Sequence, residues 1–248
     1  MASYDFTSVR LFVEGPLAAG GEIETGRDQA NYLLNVMRLA EGDAVLLFDG
    51  ANGEWRARLR RDGRKAVRLV PEEQMRPQPP AGDLWLLFAP LKHARFDYLV
   101  QKAVEMGASR LQPVITQHTQ VARVNTERMR ANAIEAAEQC GVLAVAECHD
   151  PQPLAKALDG WSPGRLLVFC DEGAASANPV EVLAPFRGRS GGVAVLVGPE
   201  GGFSQDERAM LHKRADTVAI SLGPRILRAD TAGVAALAVV QATLGDWR

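Results

Sequence analysis

Residues 193–211, VAVLVGPEGGFSQDERAML, and residues 218–240, VAISLGPRILRADTAGVAALAVV, decide how this chain is organised. Each opens on an apolar run, breaks at glycine and resumes with helical composition, so the pair reads as two strand, turn, helix units placed back to back. The run Val193-Ala194-Val195-Leu196-Val197 has no polar position and is expected to be buried on both faces, the habit of strands in parallel sheets. Ligands of open α/β sheets sit beyond the carboxyl ends of such strands, so both glycine turns are expected to face one pocket.

The first turn has a definite local chemistry. Gly198, Gly201 and Gly202 permit close backbone approach and positive φ, and Pro199 fixes one bend between them. Ser204 followed by Glu207 forms a capping box that starts a helix. In the second turn, Asp230 and Thr231 are good N-cap residues for a last helix, Ala232 to Leu244, that is apolar all round and must be buried in its own domain or against another subunit. No Gly-Lys-Ser/Thr follows the glycines and no Gly-x-Gly-x-x-Gly follows a strand, which excludes a phosphate loop and the dinucleotide fingerprint. The glycines alone fit two tight structural turns as well as a site. Arg225 and Arg228, with Glu200 and Asp230 near them, suit an anionic or hydrogen-bond-rich substrate better than a bare turn.

Outward from this stretch, residues 84–248 alternate strands and helices. Leu84 to Phe88, Leu111 to Ile115 and Leu166 to Cys170 read as strands, the last followed by Asp171-Glu172-Gly173; Phe96 to Met106 and Asn125 to Gln139 read as helices. That alternation predicts a parallel α/β sheet. Residues 1–75 instead hold short strands with glycine turns, suggesting a β-barrel, interrupted by a helix from Arg27 to Leu39. Residues 76–83, within the proline-rich stretch MRPQPPAGD, separate the two as a linker. In the small domain Arg56, Arg58 and Arg60 occupy alternate positions of one strand and share a face, with Arg61, Arg64, Lys65 and Arg68 close in sequence. That face is either a strip for a nucleic-acid backbone or an ordinary solvated surface.

The net charge of −2 over 248 residues means that any nucleic-acid contact must come from local patches. Cys140, Cys148 and Cys170 are odd in number and lack C-x-x-C spacing, which argues against a disulfide framework or a zinc site and fits a reducing cytoplasm. His93, His118, His149 and His212 lack metal-ligand spacing, so no metal is expected, and no Ser lies in a Gly-x-Ser-x-Gly elbow. Lys92 and His93 follow a strand and are placed to reach a pocket rim. No export signal or membrane span is apparent.

The segments VGPEGGFSQDE and LGPRILRADTA resemble the two signature motifs of the RsmE family, SPOUT-class methyltransferases that act on the N3 atom of a uridine in bacterial 16S rRNA. Leu91 to Pro113, Ala136 to Cys140 and Leu33 to Gly50 resemble further family segments, so nearly the whole chain is covered. The resemblance implies a SPOUT-like parallel sheet with a trefoil knot, preceded by a PUA-like RNA-binding barrel. It implies S-adenosylmethionine as cofactor, held by Gly198, Glu200, Gly201, Gly202, Ile220, Leu222, Gly223, Ile226 and Leu227, and 16S rRNA as partner of a homodimer. Arg225, Arg228, Glu200 and Asp230 become the candidate catalytic residues, and Arg10, Arg38, Arg56, Arg58 and Arg60 the candidate RNA contacts. The chain departs from the family pattern at Asp230, where Glu is usual, at Asn31, where His is usual, at Val142, where Arg is common, and at Gln117-His118. A non-catalytic RNA-binding or ribosome-assembly protein, and a SPOUT enzyme acting on another RNA position, are the competing interpretations.

Overall fold

The computed structural model describes residues 8–63, 66–121, 123–174 and 178–247. Arg64, Lys65 and the first seven residues lie outside them. The chain divides into two compact units, Met1–Ala81 with Ala137–Val145, and Gly82–Ala136 with Ala146–Arg248. The units part inside the proline-rich stretch, and residues 137–145 join the first unit rather than the second.

The first unit contains β1 (Arg10–Phe12), β2 (Ile23–Glu24), α1 (Arg27–Asn31), β3 (Ala44–Phe48), β4 (Glu54–Asp62) and β5 (Ala66–Arg76). Its strands form one sheet in the order β1-β3-β4-β5-β2, antiparallel except for β1 beside β3. Alternation from Arg56 to Arg60 along β4 buries Ala57 and Leu59 completely and turns Arg56, Arg58 and Arg60 outward. Leu33, Val45, Leu47 and Leu69 complete the fully buried centre of the core. The helix expected from Arg27 to Leu39 is shorter and less regular. After α1 it widens into a π turn over Tyr32–Val36, and Arg38 turns left-handed at φ 56°. The Leu39 N–H then returns to the Leu33 carbonyl at 2.9 Å, closing the end in the Schellman manner without a glycine. Residues 137–145 belong here because Glu138 accepts the Phe12 N–H at 2.8 Å and its carbonyl accepts from Arg10 at 3.2 Å, while Arg76 donates to the Gly141 carbonyl at 3.1 Å.

The second unit contains β6 (Leu84–Phe88), α2 (His93–Glu105), β7 (Arg110–Ile115), α3 (Thr126–Cys140, whose last turn belongs to the first unit), β8 (Glu147–Cys148), β9 (Gln152–Pro153) and α4 (Leu154–Leu158). It continues with β10 (Leu166–Cys170), α5 (Pro179–Leu183), β11 (Val193–Val197), α6 (Gln205–Lys213), β12 (Thr217–Ile220) and α7 (Ala229–Thr243). The strand order is β12-β10-β11-β6-β7-β8, with β9 also on β7, and every pairing is parallel. Central β11 is buried on both faces from Ala194 to Val197, as its composition dictates. The last helix lies against α2 closely enough that a methyl group on Gly233 would come within 2.5 Å of the Leu99 side chain. No helix among the described residues is long and apolar enough to cross a membrane.

Candidate functional site

Because β12, β10 and β11 are adjacent and parallel, the loops at their carboxyl ends emerge on one edge. They surround a single cleft with about 860 Å³ of atom-free space, open solvent included. From the loop after β11 come Gly198, Glu200, Gly201 and Gly202. From the end of β12 and its loop come Ile220, Leu222, Gly223, Arg225, Ile226 and Leu227. The two glycine turns thus meet around one space, and it is not filled by side chains.

Two of the glycines are required by close approach. Gly202 has φ +68°, its N–H closes a turn onto the Pro199 carbonyl at 2.9 Å, and a Cβ there would lie 2.5 Å from a Glu172 carboxylate oxygen. A Cβ on Gly198 would come within 3.0 Å of the Phe203 ring. The capping box then fixes the start of α6: the Glu207 N–H donates to Ser204 Oγ at 3.3 Å and the Ser204 N–H to Glu207 Oε2 at 2.8 Å. The other oxygen of Glu207 accepts the Gln117 N–H at 2.8 Å, which joins the loop after β7 to the glycine turn. His118 Nδ1 lies 3.1 Å from the carbonyl oxygens of both Gly201 and Gly202; since carbonyls only accept, this nitrogen carries a hydrogen.

A third loop, after β10, completes the cleft with Cys170, Asp171 and Glu172, none of which the sequence assigned to the site. Asp171 is almost wholly buried and is held by Arg208 at 2.8 Å, by His212 at 3.3 Å and by the Gly173 N–H at 3.0 Å. That grip leaves Glu172, the next residue, to present its carboxylate beside Gly202. Burial pushes the Cys170 thiol up to about 12, with the Glu172 charge adding to the effect, so the thiol stays protonated and is no nucleophile. The rule that placed the glycine turns applies equally to Asp171-Glu172-Gly173; what was missing was that β10 lies between β11 and β12.

Arg225 is exposed on the cleft and makes no ion pair among the described residues. Arg228, exposed and likewise unpaired, is the backbone N-cap of α7 and, like Asp230, stands outside the residues that line the cleft. The expected cap at Asp230 or Thr231 is therefore corrected: the helix starts at Ala229 rather than Ala232, with no side-chain cap, and Asp230 accepts the Thr231 N–H at 3.0 Å inside the first turn. Glu200 is exposed and faces Arg95 at 3.4 Å.

The small domain treats its arginines differently. Arg10 is buried and bound to Glu54 at 2.6 Å, which removes it from any RNA-contacting surface. Burial pushes the Glu54 carboxyl up, but hydrogen bonds from Arg76 and Arg10, with their charges, outweigh it and hold the group below the usual glutamate value. Arg56 pairs with Glu73, Arg58 with Glu72 at 3.0 Å and Arg60 with Glu41 at 3.6 Å, so the outward face is neutralised pair by pair. Arg38 is exposed beside Val36 and Met37, both also exposed, and makes no ion pair among the described residues.

Residues 77–241 match a family described as the RNA methyltransferase domain, and residues 25–72 one described as the RNA methyltransferase PUA domain. The chain is 30% identical over 237 residues to ribosomal RNA small subunit methyltransferase E of Rickettsia conorii, covering 94% of each. It is 30% identical over 225 residues to the protein of that name from Synechocystis, covering 87% of this chain and 71% of the relative. Among solved structures, the methyltransferase E of Neisseria gonorrhoeae bound to S-adenosyl methionine superposes with a TM-score of 0.85 at 28% identity, covering 97% of this chain and 100% of that one. A putative methyltransferase from Legionella pneumophila, in complex with the same cofactor, superposes with a TM-score of 0.80 at 26% identity, covering 95% and 97%.

Proposed function

This chain belongs to the ribosomal RNA small subunit methyltransferase E family, and on that premise we propose that it transfers the methyl group of S-adenosylmethionine to the N3 atom of a uridine in 16S rRNA. The observation that carries the reading is the convergence of three strand-end loops on one cleft, edged by an arginine that is unpaired among the described residues.

The residues fit the cofactor. Ile220, Leu222, Ile226 and Leu227 offer an apolar slot for an adenine, and the glycine turn, free to pack against Phe203 and Glu172 because Gly198 and Gly202 lack Cβ atoms, lines the cleft with backbone groups. Glu172 offers carboxylate oxygens to hydroxyl donors at the same place. When bound, the cofactor supplies an electrophilic methyl carbon.

The chain's own residues do the rest. As the N3 lone pair of the uracil forms its bond to that carbon, the carbon–sulfur bond breaks, its electron pair stays on sulfur and the N3 proton must leave. Arg225 and Arg228 stabilise the negative charge that grows on the uracil carbonyls, and Glu200 or Asp230 accepts the proton or orients the base. Of the two carboxylates Glu200 lines the cleft, which favours it. In the small, PUA-like domain Arg38 is the RNA contact best supported, since it is exposed and has no ion-pair partner among the described residues.

The same proposal includes a trefoil-knotted chain, a cytoplasmic location and a homodimer. The outward side of α7, with Val234, Ala235, Ala238 and Val239, is apolar yet only half-buried, and Ile226 on the cleft is 94% exposed. A second copy would cover such a helix face. Sedimentation of the purified chain at twice its monomer mass is the expected outcome; a monomer over the whole concentration range rejects the dimer.

Calorimetric titration with S-adenosylmethionine separates the enzyme from a non-catalytic RNA-binding protein, which gives no heat. Mass mapping of 16S rRNA from a deletion strain then fixes the atom. Loss of one N3-methyluridine is expected; loss of a ribose methyl group instead moves the reaction to another position.

A further inference from the structure

A second cavity opens on the same sheet edge, between the loops that follow β6 and β7, with about 720 Å³ of atom-free space, open solvent included. Phe96, Val121 and Val124 give it apolar walls, and Lys92, Arg123 and Arg128 bring three cations. Arg128 is taken up by Asp97, with its Nε 3.1 Å from Oδ1, and Asn132 holds the same carboxylate oxygen at 2.8 Å. Lys92 and Arg123 are exposed and make no ion pair among the described residues.

The loops that carry the two cavities are in contact. Arg95, in the first turn of α2 beside Lys92, reaches Glu200 on the cleft at 3.4 Å. His118, three residues before Val121, bonds the carbonyls of Gly201 and Gly202 on the other side. Lys92, Arg123, Arg225 and Arg228 thus stand on the loops of one edge as four cations that are unpaired among the described residues, in a chain whose net charge is −2. Separate cations with an apolar-walled space between them match a strand that carries a phosphate and a flat base at every step.

Resting on the methyltransferase reading, we infer that this second cavity receives a nucleotide of the substrate RNA next to the methylated uridine, its base against Phe96, Val121 and Val124 and its phosphates on Lys92 and Arg123. The cavity is a substrate subsite, separate from the place where the methyl group moves.

The test uses the full chain, wild type and Lys92→Gln/Arg123→Gln, with small ribosomal subunits from the deletion strain. Lost phosphate contacts lower the slope of log affinity against log salt by about 2, roughly one per cation. KM for the subunits is expected to rise about tenfold, with kcat and calorimetric cofactor affinity nearly unchanged. Both side chains are exposed, so retained cofactor affinity reports an intact fold. Val124→Trp fills the space without removing charge and is expected to raise KM while leaving the salt slope alone, which decides the matter if the double variant misfolds. An unchanged slope and KM in the double variant overturns the inference. A changed oligomeric state would overturn it too, by making the cavity an interface between copies. If the wild type binds subunits but methylates no uridine, the proposed reaction fails while the salt slope still decides the cavity.

Discussion

Arginines in the small domain and arginines around the cleft are the same residue type put to opposite uses. Arg56, Arg58 and Arg60 lie on a strand face that looks like a basic strip, yet each meets a glutamate from another part of the sheet or its loops. Arg225 and Arg228 occur in a shorter, less basic segment and meet none among the described residues. An exposed guanidinium already matched by a carboxylate gains little from a phosphate, because it must give up one partner to take the other. A guanidinium without a partner has only water to lose. The basic composition of a segment is therefore a weaker guide to nucleic-acid contact than the absence of nearby acid.

The comparison is sharpened most by the buried pair. Arg10→Ala leaves Glu54 buried with Arg76 as its remaining cation, and is expected to cost about 3–5 kcal/mol of stability; a denaturant midpoint unchanged from wild type would show that Arg10 does not hold the domain. Glu54 also sets an acid limit. Its folded-state value is depressed, so its contribution is complete above the usual 4.5 and is lost as pH falls through the folded value. Thermal melts of the Glu54→Gln variant should show a shallower acid loss than the wild type.

Next in size, Arg228→Ala or Arg225→Ala should lower kcat by about 10²–10³, equivalent to roughly 3–4 kcal/mol, while cofactor affinity stays nearly constant. Equal loss of both would place these arginines on the cofactor instead. An intermediate case is Asp171→Asn, which strips Arg208 of its buried carboxylate and is expected to cost about 2 kcal/mol. Cofactor affinity should fall with it, because Glu172 is carried on the same turn; calorimetry on the variant checks this. The smallest effects belong to Arg56→Gln and Arg58→Gln, each expected to change stability by less than about 1 kcal/mol. Either one flattening the salt dependence of RNA binding as strongly as Arg38→Gln would restore the strip as a contact surface.

What could be seen in the sequence follows from how locally each feature is encoded. The run Val193 to Val197 states its own burial, and Ser204 with Glu207 states its own cap, so strand, turn and helix were all legible. Strand order is not local. Nothing near Asp171 says that β10 separates β11 from β12, and the third wall of the cleft was missed for that reason. The pairing of Arg58 with Glu72 spans 14 residues and that of Arg56 with Glu73 spans 17, so both depend on the register of β4 with β5, which bulges twice. The helix after Arg27 failed differently: composition favours a helix through Leu39, but not whether its last turn widens. The start of α7 was misplaced because good capping side chains at Asp230 and Thr231 outranked a backbone cap at Arg228.

One carboxylate joins two parts of the site in a way that bears on the order of events. Glu207 accepts the Ser204 amide with one oxygen and the Gln117 amide with the other. Two recognition surfaces are thereby mounted on a common bracket, and a ligand that stiffens one stiffens the other. Linkage then demands reciprocity: if nucleic acid raises the hold on the methyl donor, the donor raises the hold on nucleic acid by the same factor, and cutting the bracket at Glu207 would uncouple the two without touching either ligand.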